Sequence, residues 1–121
     1  MNDTKITLQQ LKQRHQDFVK ERDWNQFHVP KNLSVALAVE AAELMEKFQW
    51  VDNAQSWAVV EKERAEVEHE LADILCYVLA FANACNIDLS AAFERKMQLN
   101  EAKYPADQAK GRADKYTAYT K

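Results

Sequence analysis

A chain of 121 residues with 47% hydrophobic and 29% charged side chains is the size and balance of one soluble globular domain. One glycine and two prolines exclude turn-rich β architectures and glycine-loop nucleotide folds. A net charge of −3 excludes a general electrostatic grip on DNA or RNA.

The spacing predicts a first helix capped by Thr7, with Gln10 completing a capping box and Ile6 and Leu11 a hydrophobic staple. Leu8, Leu11, His15, Phe18 and Val19 follow at helical intervals. Asp23–Pro30 reads as a loop rich in aromatic rings, and Pro30 biases Val29 away from helix. A second helix is predicted over Leu33–Trp50, capped by Asn32 or Ser34, with Leu33, Leu37, Leu44 and Phe48 as its stripe. The polar stretch Asp52–Ser56 breaks that pattern. A third and longest helix is predicted over Val60–Cys85, ended by Asn86. A fourth starts after Asp88 and runs past Met97 to Asn100 or beyond, where Pro105 stops or bends it. The expectation is one domain over residues 1–121, an all-α four-helix bundle, with 106–121 as a mobile tail or an inter-subunit strap. The third helix is apolar on several faces, so a homo-oligomer is expected to complete the core. Cys76 and Cys85 lie in that helix and read as reduced core thiols of a cytoplasmic protein. No signal peptide is visible, and the apolar run 71–84 is shorter than the ~20 residues a membrane span needs.

Charge interrupts the two apolar helices at few places. Between Leu33 and Met45 only Glu40 and Glu43 are charged, and between Leu71 and Ile87 only Asp73 is, with Glu70 one turn before it. Carboxylates on apolar faces cost several kcal/mol, on the order of a whole domain's margin, unless something compensates them. Neither run supplies a lysine or arginine, so a hard divalent cation, Mg²⁺ or Mn²⁺, is the expected compensation. Mg²⁺ is commonly shared with substrate phosphates, which points to phosphate chemistry. The alternative is a solvated acidic face, with Glu43 paired to Lys47 at i+4. Glu66 and His69 form a single ExxH where a di-iron bundle needs two.

The ordered pattern Glu40-x-x-Glu43 and Glu70-x-x-Asp73 resembles the MazG-like all-α nucleoside triphosphate pyrophosphohydrolases. It is most similar to the dCTP pyrophosphatase branch, through Arg22–His28, Asn32-Leu33, Phe48-Gln49-Trp50, Lys96-Met97, Asn100, Tyr104-Pro105 and Lys115-Tyr116-Thr117. The resemblance implies cleavage between the α and β phosphates to a nucleoside monophosphate and pyrophosphate, in nucleotide-pool cleansing. It implies Mg²⁺ held by Glu40, Glu43, Glu70 and Asp73. It implies a base and sugar pocket from His15, Trp24, Phe27, His28, Trp50 and Tyr77, with Lys96, Asn100 and Tyr104 near the phosphates or sugar. It also implies a homodimer or a dimer of dimers, with no nucleic-acid polymer and no membrane as partner.

Glu43 is the expected general base and Glu40 its alternative. Lys96 could neutralise the leaving pyrophosphate or simply be a solvated helix lysine. Trp24 and Trp50 could stack on a base or act as core anchors. His15 could be a core or interface histidine, and Tyr77 could pack on a sugar or in the core. The rival to an enzyme is a helical oligomer that binds nucleotides or a partner without turnover.

Overall fold

Thr7 opens α1 (Leu8–Glu21) with the expected capping box. Its side chain accepts from the Gln10 amide, and the Gln10 side chain accepts from the Thr7 amide at 2.8 Å. This computed structural model describes residues 1–119, which are helical with no strand among them. They form two compact units, one over Met1–Ile87 and one from Asp88 onward.

In the first unit, α1 ends in a left-handed cap. Asp23 takes φ 54°, its amide donates to the Lys20 carbonyl, and the Trp24 amide donates to the Val19 carbonyl. A short 3-10 turn, Asn25–Phe27, follows. Helix α2 spans Pro30–Glu46, not Leu33–Trp50. Pro30 sits in its first turn, where the missing amide costs nothing and the fixed φ suits the helix. Asn32 and Ser34 therefore do not cap it. Asn32 Nδ2 donates to the Phe27 carbonyl and Ser34 Oγ to the Lys31 carbonyl.

The stretch Asp52–Ser56 starts a helix where a break was expected. Asp52 accepts from the Gln55 amide at 2.7 Å and Gln55 reciprocates, a second capping box that opens α3 (Asn53–Lys62). Its polarity is that of a cap. The predicted single helix over Val60–Cys85 is accordingly two, because Glu63 leaves helical geometry (φ −119°, ψ 35°) before α4 (Arg64–Ala84). Asn86 ends α4 as expected, at φ 52°, and the Ile87 amide returns to the Ala82 carbonyl at 2.9 Å.

Helix α4 packs on α2, which is the largest interface of the unit, and on α1. Its core is Val19, Leu33, Leu79, Ala80 and Ala82. Lys12 Nζ donates to the Ile87 carbonyl and Asn83 Nδ2 to the Lys12 carbonyl, tying α1 to the end of α4. Cys76 is half-buried, but Cys85 is exposed, because it caps α4 outside the core stripe. No single helix among the described residues is long and apolar enough to cross a membrane.

The second unit begins with Asp88, whose Oδ1 accepts from the Ala91 amide and caps α5 (Leu89–Lys103). Pro105 ends that helix and precedes a single turn, α6 (Ala106–Ala109). Gly111 at φ 78° reverses the chain. Tyr104 then meets Tyr116 and Tyr119 edge-on, with centroids 5.9 and 5.8 Å apart, and the Arg112 guanidinium lies over the Tyr119 ring. The segment expected to be a tail or strap thus folds back on Tyr104 over its described residues. Residues 120–121 lie outside them.

Candidate metal centre and adjoining cavity

Helices α2 and α4 run antiparallel, and their acidic residues meet rung by rung. Each step of three or four residues forward on α2 answers the same step backward on α4. This register relates Glu40 to Asp73, Glu43 to Glu70 and Lys47 to Glu66. One carboxylate oxygen from each of Glu40, Glu43 and Glu70 lies within 4.8 Å of the others. Asp73 falls outside that trio. It lines the cavity described below with Glu40, and its charge is felt by Glu70.

The trio lacks a counter-charge. Oε2 of Glu40 and Oε2 of Glu70 are buried with no hydrogen-bond partner. Among the described residues no lysine or arginine pairs with any of the three. The Glu40 carboxylate, as a hydrogen-bonding neighbour and as a like charge, holds the Glu43 carboxyl above its ordinary range. Burial raises Glu70, and its contact with Glu43 raises it further. Buried oxygens without a partner on Glu40 and Glu70, crowded with Glu43, fit a site built for a hard cation, because a divalent charge supplies the missing partner and offsets the crowding. Lys47 does not bond Glu43, as its i+4 spacing allowed. Its Nζ lies 3.0 Å from Glu66 Oε2 and 3.5 Å from Glu63 Oε1.

A cavity of 460 Å³ opens beside the trio, with Glu40 and Asp73 on its acidic edge. Leu11, Phe18, Val19, Leu75 and Leu79 make its wall apolar. His15, Trp24, His28 and Tyr77 line it, so four of the six side chains expected around a base and sugar meet here. The left-handed cap of α1 explains Trp24: it turns the chain back so that the indole meets Phe18 edge-on at 5.6 Å. Burial, and then the neighbouring His28, lowers the His15 pKa, while burial lowers that of His28. Both imidazoles are therefore neutral at pH 7, and the Nδ1 of His15 is buried without a partner.

Phe27 and Trp50 are not among the lining residues. Phe27 lies in the 3-10 turn and is exposed, and Trp50, beyond the early end of α2, is 87% exposed. Trp50 is therefore not a core anchor of its own chain. Lys96, Asn100 and Tyr104 belong to the second unit, four residues apart along α5 and its cap. Sequence reasoning missed Arg14 and Cys76 as lining residues. Cys76 follows Asp73 by one turn, and that spacing was the available signal. Burial raises its thiol pKa, as do the Asp73 and Glu40 charges, so it is a thiol and not a nucleophile at neutral pH.

A model of the MazG-like family matches residues 35–118, a range that holds all four acidic positions. The dCTP pyrophosphatase 1 of Rattus norvegicus is 44% identical over 115 residues, covering 92% of this chain and 66% of that protein. The Homo sapiens protein of the same name is 43% identical over the same span. The chain thus spans just under two thirds of the length of these relatives. The crystal structure of a pyrophosphatase from Archaeoglobus fulgidus superposes with a TM-score of 0.79 at 37% identity, covering 87% of this chain and 98% of that one. With two acidic helices in register and a family match across most of its length, the chain belongs to the MazG-like family.

Proposed function

We propose that this protein is a Mg²⁺-dependent nucleoside triphosphate pyrophosphohydrolase, favouring dCTP or a modified dCTP, that cleanses the cytoplasmic nucleotide pool. The observation that carries the reading is the pair of orphaned carboxylate oxygens, on Glu40 and Glu70, beside an aromatic cavity of nucleoside size. The names of its relatives give the substrate class.

Glu40, Glu43 and Glu70 would hold the cation, with Asp73 one turn further along α4. When bound, Mg²⁺ supplies Lewis acidity toward phosphate oxygens and water, and Mn²⁺ can replace it. Glu43, the exposed member of the trio, takes the proton of the attacking water, and Glu40 is the alternative base. The water oxygen bonds to the α-phosphorus as the bond to the α–β bridging oxygen breaks, giving nucleoside monophosphate and pyrophosphate. Trp24 and Phe18 wall the base, while His15 and His28 offer neutral ring nitrogens to its polar edge. Tyr77 packs on the sugar. Lys96, Asn100 and Tyr104 serve the phosphates or the sugar, an assignment that rests on the family resemblance.

The active form is a homodimer or a dimer of dimers. Val35, Val39 and Met45 are 56%, 50% and 55% exposed on α2, and Leu71 is 57% exposed on α4. Exposed apolar side chains on both packed helices support a partner surface there. Phe27 and Trp50, exposed on this chain, would join a site that a second copy completes, as the family resemblance implies.

The test is pyrophosphate release from a panel of nucleoside triphosphates with and without Mg²⁺. The expected result is pyrophosphate and monophosphate in equal amounts, dCTP fastest, and no turnover after chelation. Nucleotide binding without any product identifies the non-catalytic alternative and overturns the proposal.

A further inference from the structure

We propose that Lys47 is a positioning residue: its clasp on Glu66 and Glu63 fixes the register of α2 on α4 that brings Glu43 and Glu40 against Glu70, and keeps its ammonium on the neighbouring rung. The inference rests on the reading of the trio as a metal centre. It is carried by geometry. Lys47 follows Glu43 by four residues on α2, and Glu66 precedes Glu70 by four on α4, so the clasp occupies the rung next to the trio. Its side chain is only 17% exposed, so most of the stem is covered while the ammonium reaches the two carboxylates. Glu66 holds it at 3.0 Å and Glu63 at 3.5 Å, and Glu63 is the residue where the chain breaks between α3 and α4. Glu63 and Glu66 lie three residues apart, the spacing that puts two side chains on one face, so both carboxylates reach the same ammonium.

The alternative registers show what the clasp prevents. A slip of one turn in one direction sets Lys47 against Glu70, and an ion pair there removes Glu70 from the cation set. A slip in the other direction takes Glu43 off Glu70 and leaves it opposite Glu66. Apolar packing alone discriminates poorly between such slips, since α2 and α4 are both rich in alanine, valine and leucine at these intervals. A charged clasp specifies register at little gain in stability, as polar residues do in helical interfaces.

The sign of the effect separates positioning from simple charge. Lys47 is a cation close to a cation site, so by Coulomb's law alone its removal tightens metal binding. A positioning residue predicts the opposite. Mn²⁺ binding is measured by calorimetry on wild type, Lys47→Met, Lys47→Arg and Glu66→Gln, each checked for helix content and cooperative unfolding. The expected result is that Lys47→Met and Glu66→Gln each weaken Mn²⁺ about tenfold, the low end of the range for outer residues of metal sites. Lys47→Arg, which keeps the two ion pairs, binds within about threefold of wild type. Adding Glu66→Gln to Lys47→Met costs nothing more, since the clasp is already open. Equal or tighter Mn²⁺ binding by a folded Lys47→Met protein overturns the clasp while leaving the metal centre standing. A wild-type protein that takes up no Mn²⁺ overturns the metal reading and the clasp with it. If Lys47→Met does not fold, Lys47→Gln, which removes the same positive charge, decides by the same criterion.

Discussion

Two neighbouring rungs of the α2–α4 pair treat the same chemistry in opposite ways. At one, Glu63 and Glu66 share the ammonium of Lys47, and the pairing lowers the Glu66 carboxyl below its ordinary range. At the other, one turn away, Glu40, Glu43 and Glu70 crowd together with no lysine or arginine paired to them among the described residues, and Glu43 and Glu70 are raised. Buried polar groups are normally paired, so acids left bare beside paired ones support the proposed cation site.

The largest effect that sharpens this contrast comes from the bare rung. Glu43→Gln or Glu70→Gln is expected to lower kcat by at least ~10²-fold in the pyrophosphate assay, because each removes a cation ligand or the base. The same variants in the metal-free protein are expected to raise Tm or leave it unchanged, since they relieve repulsion. Glu66→Gln is expected to lower Tm and to cut kcat far less. Equal losses at both rungs would erase the distinction.

Next is Trp24→Ala, expected to raise KM for dCTP by roughly 5- to 100-fold with a smaller change in kcat, the worth of one stacked base. Steady-state kinetics on dCTP check it. Mg²⁺ is expected to raise Tm more at pH 8 than at pH 5, because protons compete for Glu43 and Glu70 within their raised range. The metal-free protein should behave oppositely. Acids raised on folding contribute stability below their unfolded values and lose it as pH rises through the folded ones. A thermal melt series in Mg²⁺ and in chelator reads both signs.

The histidines give a smaller effect. Both His15 and His28 are lowered on folding, so the folded state binds fewer protons than the unfolded one. Stability is expected to fall as pH drops through the ordinary value of 6.5 toward their lowered values. His15→Gln should flatten that slope. The smallest expected effect is Trp50→Ala on the stability of the separated chain, within about 0.5 kcal/mol, given its exposure.

Much of this architecture can be read from residue spacing. The Thr7 box, the Asp88 cap and the Asn86 terminus each depend on local geometry that their own residue types favour, so residue type sufficed. The acidic pairs stood out because they interrupt apolar stripes. The beginning of α2 was misplaced because Pro30, read as a barrier to the helix before it, is also an ideal first helical residue. Helix α3 was missed because Asp52 and Gln55 were read as polarity and not as a capping box. The partner of Lys47 could not be chosen from sequence. Both Glu43 at i−4 and a residue on another helix were available, and only the antiparallel register selects Glu66. The same register brings Glu40, Glu43 and Glu70 together while Asp73 stays apart, a distinction invisible in the matching three-residue spacing.

A crystal grown with Mn²⁺ and a non-hydrolysable nucleoside triphosphate, examined by anomalous scattering, tests the central claim most directly. The account predicts a peak within about 2.0–2.3 Å of carboxylate oxygens from Glu40, Glu43 and Glu70, with the base in the cavity beside Trp24. Nucleotide bound with the manganese elsewhere, or with the three carboxylates turned away from it, would contradict the account.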